Sequence, residues 1–153
     1  MLNSVKVPKD NIVGRLSERE KLAYIAGFLD GDGSIMLQLR KNTEGKIIRI
    51  KTVICFYQDC RHRQDLEWIQ KILGGYVYTR NDKISELRIE GFAMVLRILS
   101  LLKPFLKVKK KQASLLIKLI PQLQQKKVSK ETVSEWIKTM REYNYYSSQR
   151  TSL

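Results

Sequence analysis

A stripe of small residues, Ala23, Gly27 and Gly31, constrains this chain more than any other feature of its sequence. The three residues are spaced i, i+4 and i+8, so on a helix they form one face that is nearly bare of side chains. Two aspartates, Asp30 and Asp32, lie where the stripe ends. A glycine within a soluble helix costs about 1 kcal/mol relative to alanine, and close packing against another backbone would offset that cost. The stripe therefore predicts contact with a second helix of the same kind.

The segments around the stripe predict an α+β fold. Ser17 followed by Glu20 is a capping box that starts the helix, and after Gly33 the apolar residues change to a period of two. Two strands follow, and we expect Ile48 on the apolar face of the second. The remaining elements are a helix over about residues 64–73, short strands over 76–80 and 84–89, and helices over 92–102, 109 to about 123 and 130–141. This order predicts a four-stranded antiparallel sheet with helices packed on one face.

The length and composition suit a single soluble domain. We expect an N-terminal arm over residues 1–16, one domain over 17–142 and a C-terminal tail over 143–153. No apolar stretch approaches the roughly 18 residues of a membrane span, and no signal peptide is readable. Cys55 and Cys60 are not spaced for a zinc site. Reduced cysteines fit an intracellular protein, and the sequence does not distinguish an organelle from a prokaryotic cytoplasm.

Positive charge is concentrated in the second half of the chain. The formal net charge is +14, and residues 91–130 contain ten lysines and arginines but no acid. Such a block favours a polyanionic partner. We favour nucleic acid over an anionic membrane surface, because the apolar positions of these segments suit a soluble core. A lysine-rich face that serves only solubility is the remaining alternative.

The predicted sheet leaves one face free of helices, and that face is rich in polar side chains. Its mixture of arginine, glutamine and acid suits the reading of base edges, in which arginine contacts guanine, glutamine contacts adenine and glutamate accepts from the cytosine amine. A merely solvated sheet face is the alternative. The candidate DNA-binding residues of this face are Gln38, Arg40, Arg49, Lys51, Tyr78, Arg80, Glu86 and Arg88.

Residues 24–33, which read YIAGFLDGDG, resemble the LAGLIDADG signature of homing endonucleases. Two further features match the single-motif members of that family in order and spacing. One is Gln58, after the second strand, and the other is the segment PFLKVKKKQA from Pro104 to Ala113. The resemblance covers roughly residues 20–123.

The resemblance implies a saddle-like sheet, intron homing and a homodimer, because single-motif members pair two identical chains. The helix stripe of Ala23, Gly27 and Gly31 would then lie at the two-fold dimer interface. The expected partner is double-stranded DNA with a pseudo-palindromic site of about 20 base pairs. Lys110 and Lys111 would contact its phosphates.

The resemblance also implies a catalytic set. Asp32 occupies the metal-binding position for Mg²⁺ (or Mn²⁺), and the Gly31 carbonyl is a second candidate ligand. Gln58 would order the attacking water, and Lys109 would stabilise the developing charge. Where relatives have an arginine four residues after the glutamine, this chain has His62 between Arg61 and Arg63, and the sequence leaves open which of the three fills that position.

The leading function is therefore a metal-dependent endonuclease that makes a double-strand break at a specific DNA site. An RNA maturase acting on intron RNA, or a DNA-binding relative that no longer cuts, is the first alternative. The presence of Asp32, Gln58 and Lys109 argues against loss of cutting. A basic structural RNA-binding protein is the second alternative, and it would need neither the acid nor the glycine stripe.

Overall fold

The computed structural model describes residues 15–149, which form a four-stranded antiparallel sheet and five helices. The sheet order is β1-β2-β4-β3. The predicted arm lies outside the described residues except for Arg15 and Leu16, as does the tail beyond Gln149. The elements are α1 (Glu18–Asp32), β1 (Gly33–Lys41), β2 (Ile47–Asp59), α2 (Arg63–Leu73), β3 (Tyr76–Thr79), β4 (Ile84–Glu90), α3 (Phe92–Leu102), α4 (Lys110–Gln124) and α5 (Lys130–Gln149). The predicted α+β architecture is confirmed.

Helix α1 begins and ends where local chemistry requires. The Ser17 hydroxyl accepts from the Glu20 N–H at 3.1 Å, and the Ser17 N–H donates to the Glu20 carboxylate at 2.9 Å, which is the predicted capping box. At the other end, β1 follows α1 without a loop. A Cβ on Gly33 would lie 2.8 Å from the Cys55 carbonyl oxygen, so only glycine fits at this junction. The junction places the last turn of α1 at one end of the sheet.

The core lies between the helices and one face of the sheet. Leu29 and Ile25 of α1 are fully buried against Ile35, Ile54 and Phe56 of the sheet. The other face of the sheet carries the polar side chains, as predicted. None of the helices within residues 15–149 is long and apolar enough to cross a membrane.

The expectation that Ile48 joins the core face is wrong. The strand pairing shifts between Arg40, which pairs with Arg49, and Lys41, which pairs with Ile47. Ile48 is therefore the extra residue of a β-bulge, and its side chain is 55% exposed. A bulge arises from the pairing of two strands, and the alternation within one strand does not reveal it.

The last helix is longer than predicted, because α5 continues past Arg141 to Gln149. Contacts with α4 accompany this extension. The Lys111 ammonium lies 5.9 Å from the centroid of the Tyr143 ring, and the Asn144 side chain accepts from Gln112 at 3.3 Å. Helix α4 itself continues through Pro121 and ends three residues later, at Gln124.

Candidate functional site

The last turn of α1 is bound to the segment that precedes α4. One oxygen of the Asp30 carboxylate accepts from the Lys107 N–H at 2.8 Å, and the other accepts from the Lys109 N–H at 2.9 Å. The Lys109 ammonium in turn donates to the Asp30 carbonyl oxygen at 2.7 Å. A cation at this position also interacts favourably with the C-terminal end of the helix dipole. Asp30, to which the sequence assigned no role at the site, thus holds Lys109 at the end of α1.

The hydrogen bonds that join Asp30 to Lys107 and Lys109 form a clasp between α1 and the segment before α4. Asp32 lies beside this clasp but is not part of it. Its side chain is exposed and makes no hydrogen bond with any described residue. Burial lowers the pKa of Lys109, and the negative charges of Asp30 and Asp32 oppose that shift. The structure therefore brings the free carboxylate of Asp32 and the half-buried ammonium of Lys109 to one locus, while their catalytic roles stay predictions.

Gln58 reaches the same end of the sheet through the strand register. Gly33, the first residue of β1, pairs with Phe56, so Gln58 lies two residues beyond that pair, at the end of the sheet where α1 joins β1. Its side-chain oxygen accepts from the Asp59 N–H at 2.9 Å, and its amide nitrogen donates to no described residue. A free amide donor at this position suits the ordering of a water molecule.

Of the three basic residues that follow Gln58, only His62 has a free side chain within the described part of the chain. Arg61 donates to the Asp59 carboxylate at 2.8 Å, a bond that lowers the pKa of Asp59 to about 2. Arg63 donates to the Glu67 carboxylate at 3.0 Å and to the Thr79 hydroxyl at 2.7 Å. His62 is exposed, and no described contact joins it to Asp32, Gln58 or Lys109.

The donor groups at this site can supply part of the coordination shell of a hard cation. Residues 15–149 contain no cluster of three or more His, Cys, Asp or Glu side chains that could enclose a metal. Magnesium, however, needs only one or two protein carboxylates when waters and phosphate oxygens complete its shell. An exposed, unbonded Asp32 at the C-terminal end of a helix meets that need, and the carbonyl groups of the last turn, including that of Gly31, lie at the same negative end.

The free face of the sheet has two kinds of polar residue. Arg40 and Arg49 are exposed and make no hydrogen bond within the described residues. Lys110 and Lys111, which lie at the start of α4 and not on the sheet, are also exposed. Arg80 is exposed and donates to Asp82 at 2.7 Å. These residues are accessible to a partner, and their contact with DNA stays a prediction.

The other predicted residues of this face are bonded to side chains of the sheet. Arg88 donates to Gln38 at 3.1 Å, and Lys51 donates to Glu90 at 3.4 Å. Glu86 lies on the predicted face, but its expected exposure is wrong, because it is only 5% exposed. Tyr78 is 36% exposed, and partial desolvation together with a hydrogen bond to Glu86 raises its pKa to about 12.

Sequence reasoning missed two members of this bonded group, Cys55 and Glu90. The Cys55 thiol is fully buried and donates to the Glu86 carboxylate at 3.2 Å. The Glu90 carboxylate accepts from both Arg88 and Lys51. The strand alternation that places Arg88 on the polar face also places Glu90 there, so this alternation could have identified Glu90 from the sequence.

The small-residue stripe of α1 is open to solvent. Ala23, Gly27 and Gly31 are all exposed, and a Cβ added at either glycine would meet no atom within 4 Å. Nothing within the described chain therefore explains why these positions are glycine. At Gly33, in contrast, the fold leaves no room for a Cβ.

A carboxylate beside a lysine, at the edge of a sheet with a free polar face, suits a metal-assisted nuclease. Comparison with known proteins also points to a nuclease. The family model described as LAGLIDADG endonuclease matches residues 25–120. DNA endonuclease I-CreI from Chlamydomonas reinhardtii is 32% identical over 139 residues, which are 88% of this chain and 85% of that protein. The chain belongs to the LAGLIDADG endonuclease family.

Solved structures show the same fold. A crystal structure of the homing endonuclease I-CvuI in complex with its target, in the presence of calcium, matches with a TM-score of 0.72 and 30% identity, over 82% of each chain. The homing endonuclease I-GzeII, in complex with a DNA target, matches with a TM-score of 0.64 and 28% identity. That match covers 78% of this chain but only 43% of the I-GzeII chain, so I-GzeII is more than twice as long as the matched unit.

Proposed function

We propose that this chain is a homodimeric, magnesium-dependent endonuclease that cuts both strands of a long, approximately palindromic DNA site. The observation that carries the proposal is the unbonded Asp32 carboxylate beside Lys109, at the end of a helix whose glycine face is open. The relatives support it, because I-CreI and I-CvuI are named endonucleases and I-CvuI has been crystallised on its target with calcium.

The residues of this chain have distinct tasks in such a reaction. Asp32 and the neighbouring Gly31 carbonyl would hold the divalent ion, which when bound supplies Lewis-acid stabilisation of phosphate charge. Lys109, held in place by Asp30, donates to oxygens on which negative charge develops. The free amide of Gln58 positions a water molecule for attack, and His62 is the basic group available to take part in proton transfer.

Two observations support the homodimer. The open face at Gly27 and Gly31 allows the backbones of two α1 helices to approach closely, which offsets the cost of glycine within a helix. The I-GzeII chain, which binds a DNA target, is more than twice as long as the unit that matches here. Two copies of this chain would supply a comparable surface, with both Asp32 side chains near the two-fold axis.

Cleavage of a library of long randomised duplexes tests the proposal. Purified protein is incubated with the library, with and without magnesium, and the cleaved ends are sequenced. We expect cuts only with magnesium, in both strands, within one approximately palindromic sequence of about 20 base pairs. Selective binding without cutting in magnesium and in manganese would instead identify a DNA-binding relative without nuclease activity.

A further inference from the structure

Arg88 is the centre of a hydrogen-bonded group on the free face of the sheet. It lies on β4, opposite Cys55 of β2 and Tyr76 of β3. Its Nε donates to Glu90 at 2.5 Å, and one terminal nitrogen donates to the Gln38 side-chain oxygen at 3.1 Å. The other terminal nitrogen lies 3.6 Å from the Glu86 carboxylate. All three nitrogens of the guanidinium therefore have partners in the chain.

Two acids hold this arginine in place. Glu90 accepts from Arg88 through one oxygen and from Lys51 through the other, which links β4 to β2. Glu86 is almost fully buried and also accepts from the Cys55 thiol. These bonds hold the planar fork of the guanidinium rigid. It therefore loses little further freedom when it binds a partner.

The arrangement decides what Gln38 can offer to DNA. A free glutamine recognises adenine with its oxygen and its NH₂ group together. Here the Gln38 oxygen already accepts from Arg88, and its NH₂ group has only a weak contact of 3.6 Å with the Met36 sulfur. Arg88 uses one of the two lone pairs of this oxygen and fixes the orientation of the amide, so the NH₂ group is the more available partner, which suits acceptors such as the N7 and O6 of guanine or the O4 of thymine.

We infer that Arg88 and Glu90 are positioning residues for DNA recognition, which set the base preference of Gln38 by holding its side-chain oxygen. The inference rests on the proposed function, since it specifies how the sheet of that endonuclease reads its target. Glu90 does not need to touch DNA to act in this way. Arg40 and Arg49, which make no bonds within the described residues, should each act alone.

Selection of preferred targets from a randomised duplex library tests the inference. The test variant is Glu90→Gln, which removes one negative charge and weakens the hold on Arg88. We expect a change of about tenfold in relative affinity among the four bases, confined to the two symmetry-related positions that Gln38→Ala also alters. The control is Glu131→Gln, an equal loss of charge at an exposed position of α5, which should leave base preference unchanged.

A double variant and a second substitution make the test decisive. Glu90→Gln combined with Gln38→Ala should show no change at those positions beyond that of Gln38→Ala alone. Arg88→Lys keeps the charge but lacks the planar fork, so it should shift the same positions, and it replaces Glu90→Gln if that variant does not fold. Unchanged preference, or a uniform loss of affinity for all sequences, overturns the inference. If the wild-type protein selects no sequence at all, the proposed function itself is wrong.

Discussion

The end of α1 and the centre of the free sheet face use charged side chains in opposite ways. Asp32 is exposed and unbonded, whereas Arg88 and Glu86 are mostly buried and bonded to neighbouring strands. An unpaired charge in solvent costs the protein little and is available to an external ligand, while a buried charge persists only if it is paired. We propose on this basis that the exposed Asp32 serves the chemistry of the nuclease and that the bonded group around Arg88 serves recognition.

The largest expected effect separates the two regions completely. Asp32→Asn should reduce cleavage to background and leave site-specific binding intact, because it removes a metal ligand without touching the sheet. Single-turnover cleavage and a binding titration on the same duplex measure the two quantities. Glu135→Gln, on α5, is the control for loss of one negative charge. Parallel loss of binding and cutting would show that Asp32 is structural, and that the end of α1 and the free sheet face do not have separate functions.

The second prediction is that Gly27→Leu abolishes both cleavage and specific binding. Gly27→Leu places a bulky side chain on the open face of α1, so two helices could no longer pack closely. Sedimentation velocity should then show a monomer, with neither cleavage nor specific binding. Ala93→Leu adds similar bulk to an exposed position of α3 and should leave the dimer intact. A wild-type protein that sediments as a monomer at micromolar concentration, even with DNA, contradicts the dimer.

The third prediction examines the clasp at the end of α1. Lys109→Met should slow cleavage by about 10²–10³-fold, as for other groups that stabilise developing charge, and should change affinity much less, since it removes one phosphate contact among many. Asp30→Asn should also slow cleavage, because it weakens the bonds that hold Lys109. If Asp30 acts through Lys109, the double variant will cut no more slowly than Lys109→Met. Multiplied effects would mean that the two residues act independently.

The fourth prediction concerns the sheet and is smaller. Arg80→Ala should relax base preference at two symmetry-related target positions, because each bidentate arginine–base pair that it removes is worth about 1–3 kcal/mol of discrimination. Lys110→Ala should weaken all sequences alike and flatten the salt dependence of binding. Target selection at two salt concentrations distinguishes them. A uniform loss of affinity in Arg80→Ala would mean that Arg80 contacts only the backbone.

The smallest expected effect concerns the centre of the sheet, where the bonded group around Arg88 should keep reagents away from the Cys55 thiol. Burial and the hydrogen bond to Glu86 raise the pKa of the Cys55 thiol to about 12, so at neutral pH it is protonated and unreactive. Iodoacetamide should modify the half-buried Cys60 in the native protein, and both cysteines only after denaturation. Mass spectrometry of the labelled peptides measures this. Rapid native labelling of Cys55 would show that the bonded group opens readily.

Local patterns in the sequence were enough for most of the fold. The capping box at Ser17, the change of period after Gly33 and the ends of α3 all depend on neighbouring residues, and the structure confirms them. The motif resemblance also identified Asp32 and Lys109, which the fold brings together. The roles of Asp32, Lys109, Gln58 and His62 all remain predictions.

Away from the β-bulge at Ile48, what the sequence by itself determined is the side of each element on which a residue lies, because the periods of helices and strands are local properties. Tertiary structure alone decided what covers or binds that residue. Asp30 reaches a backbone amide 77 residues away, Ile48 is exposed by a shift in strand pairing, and Glu86 is buried by residues on other strands. Each outcome depends on which distant segments meet and in what register, and no periodicity within one segment carries that information.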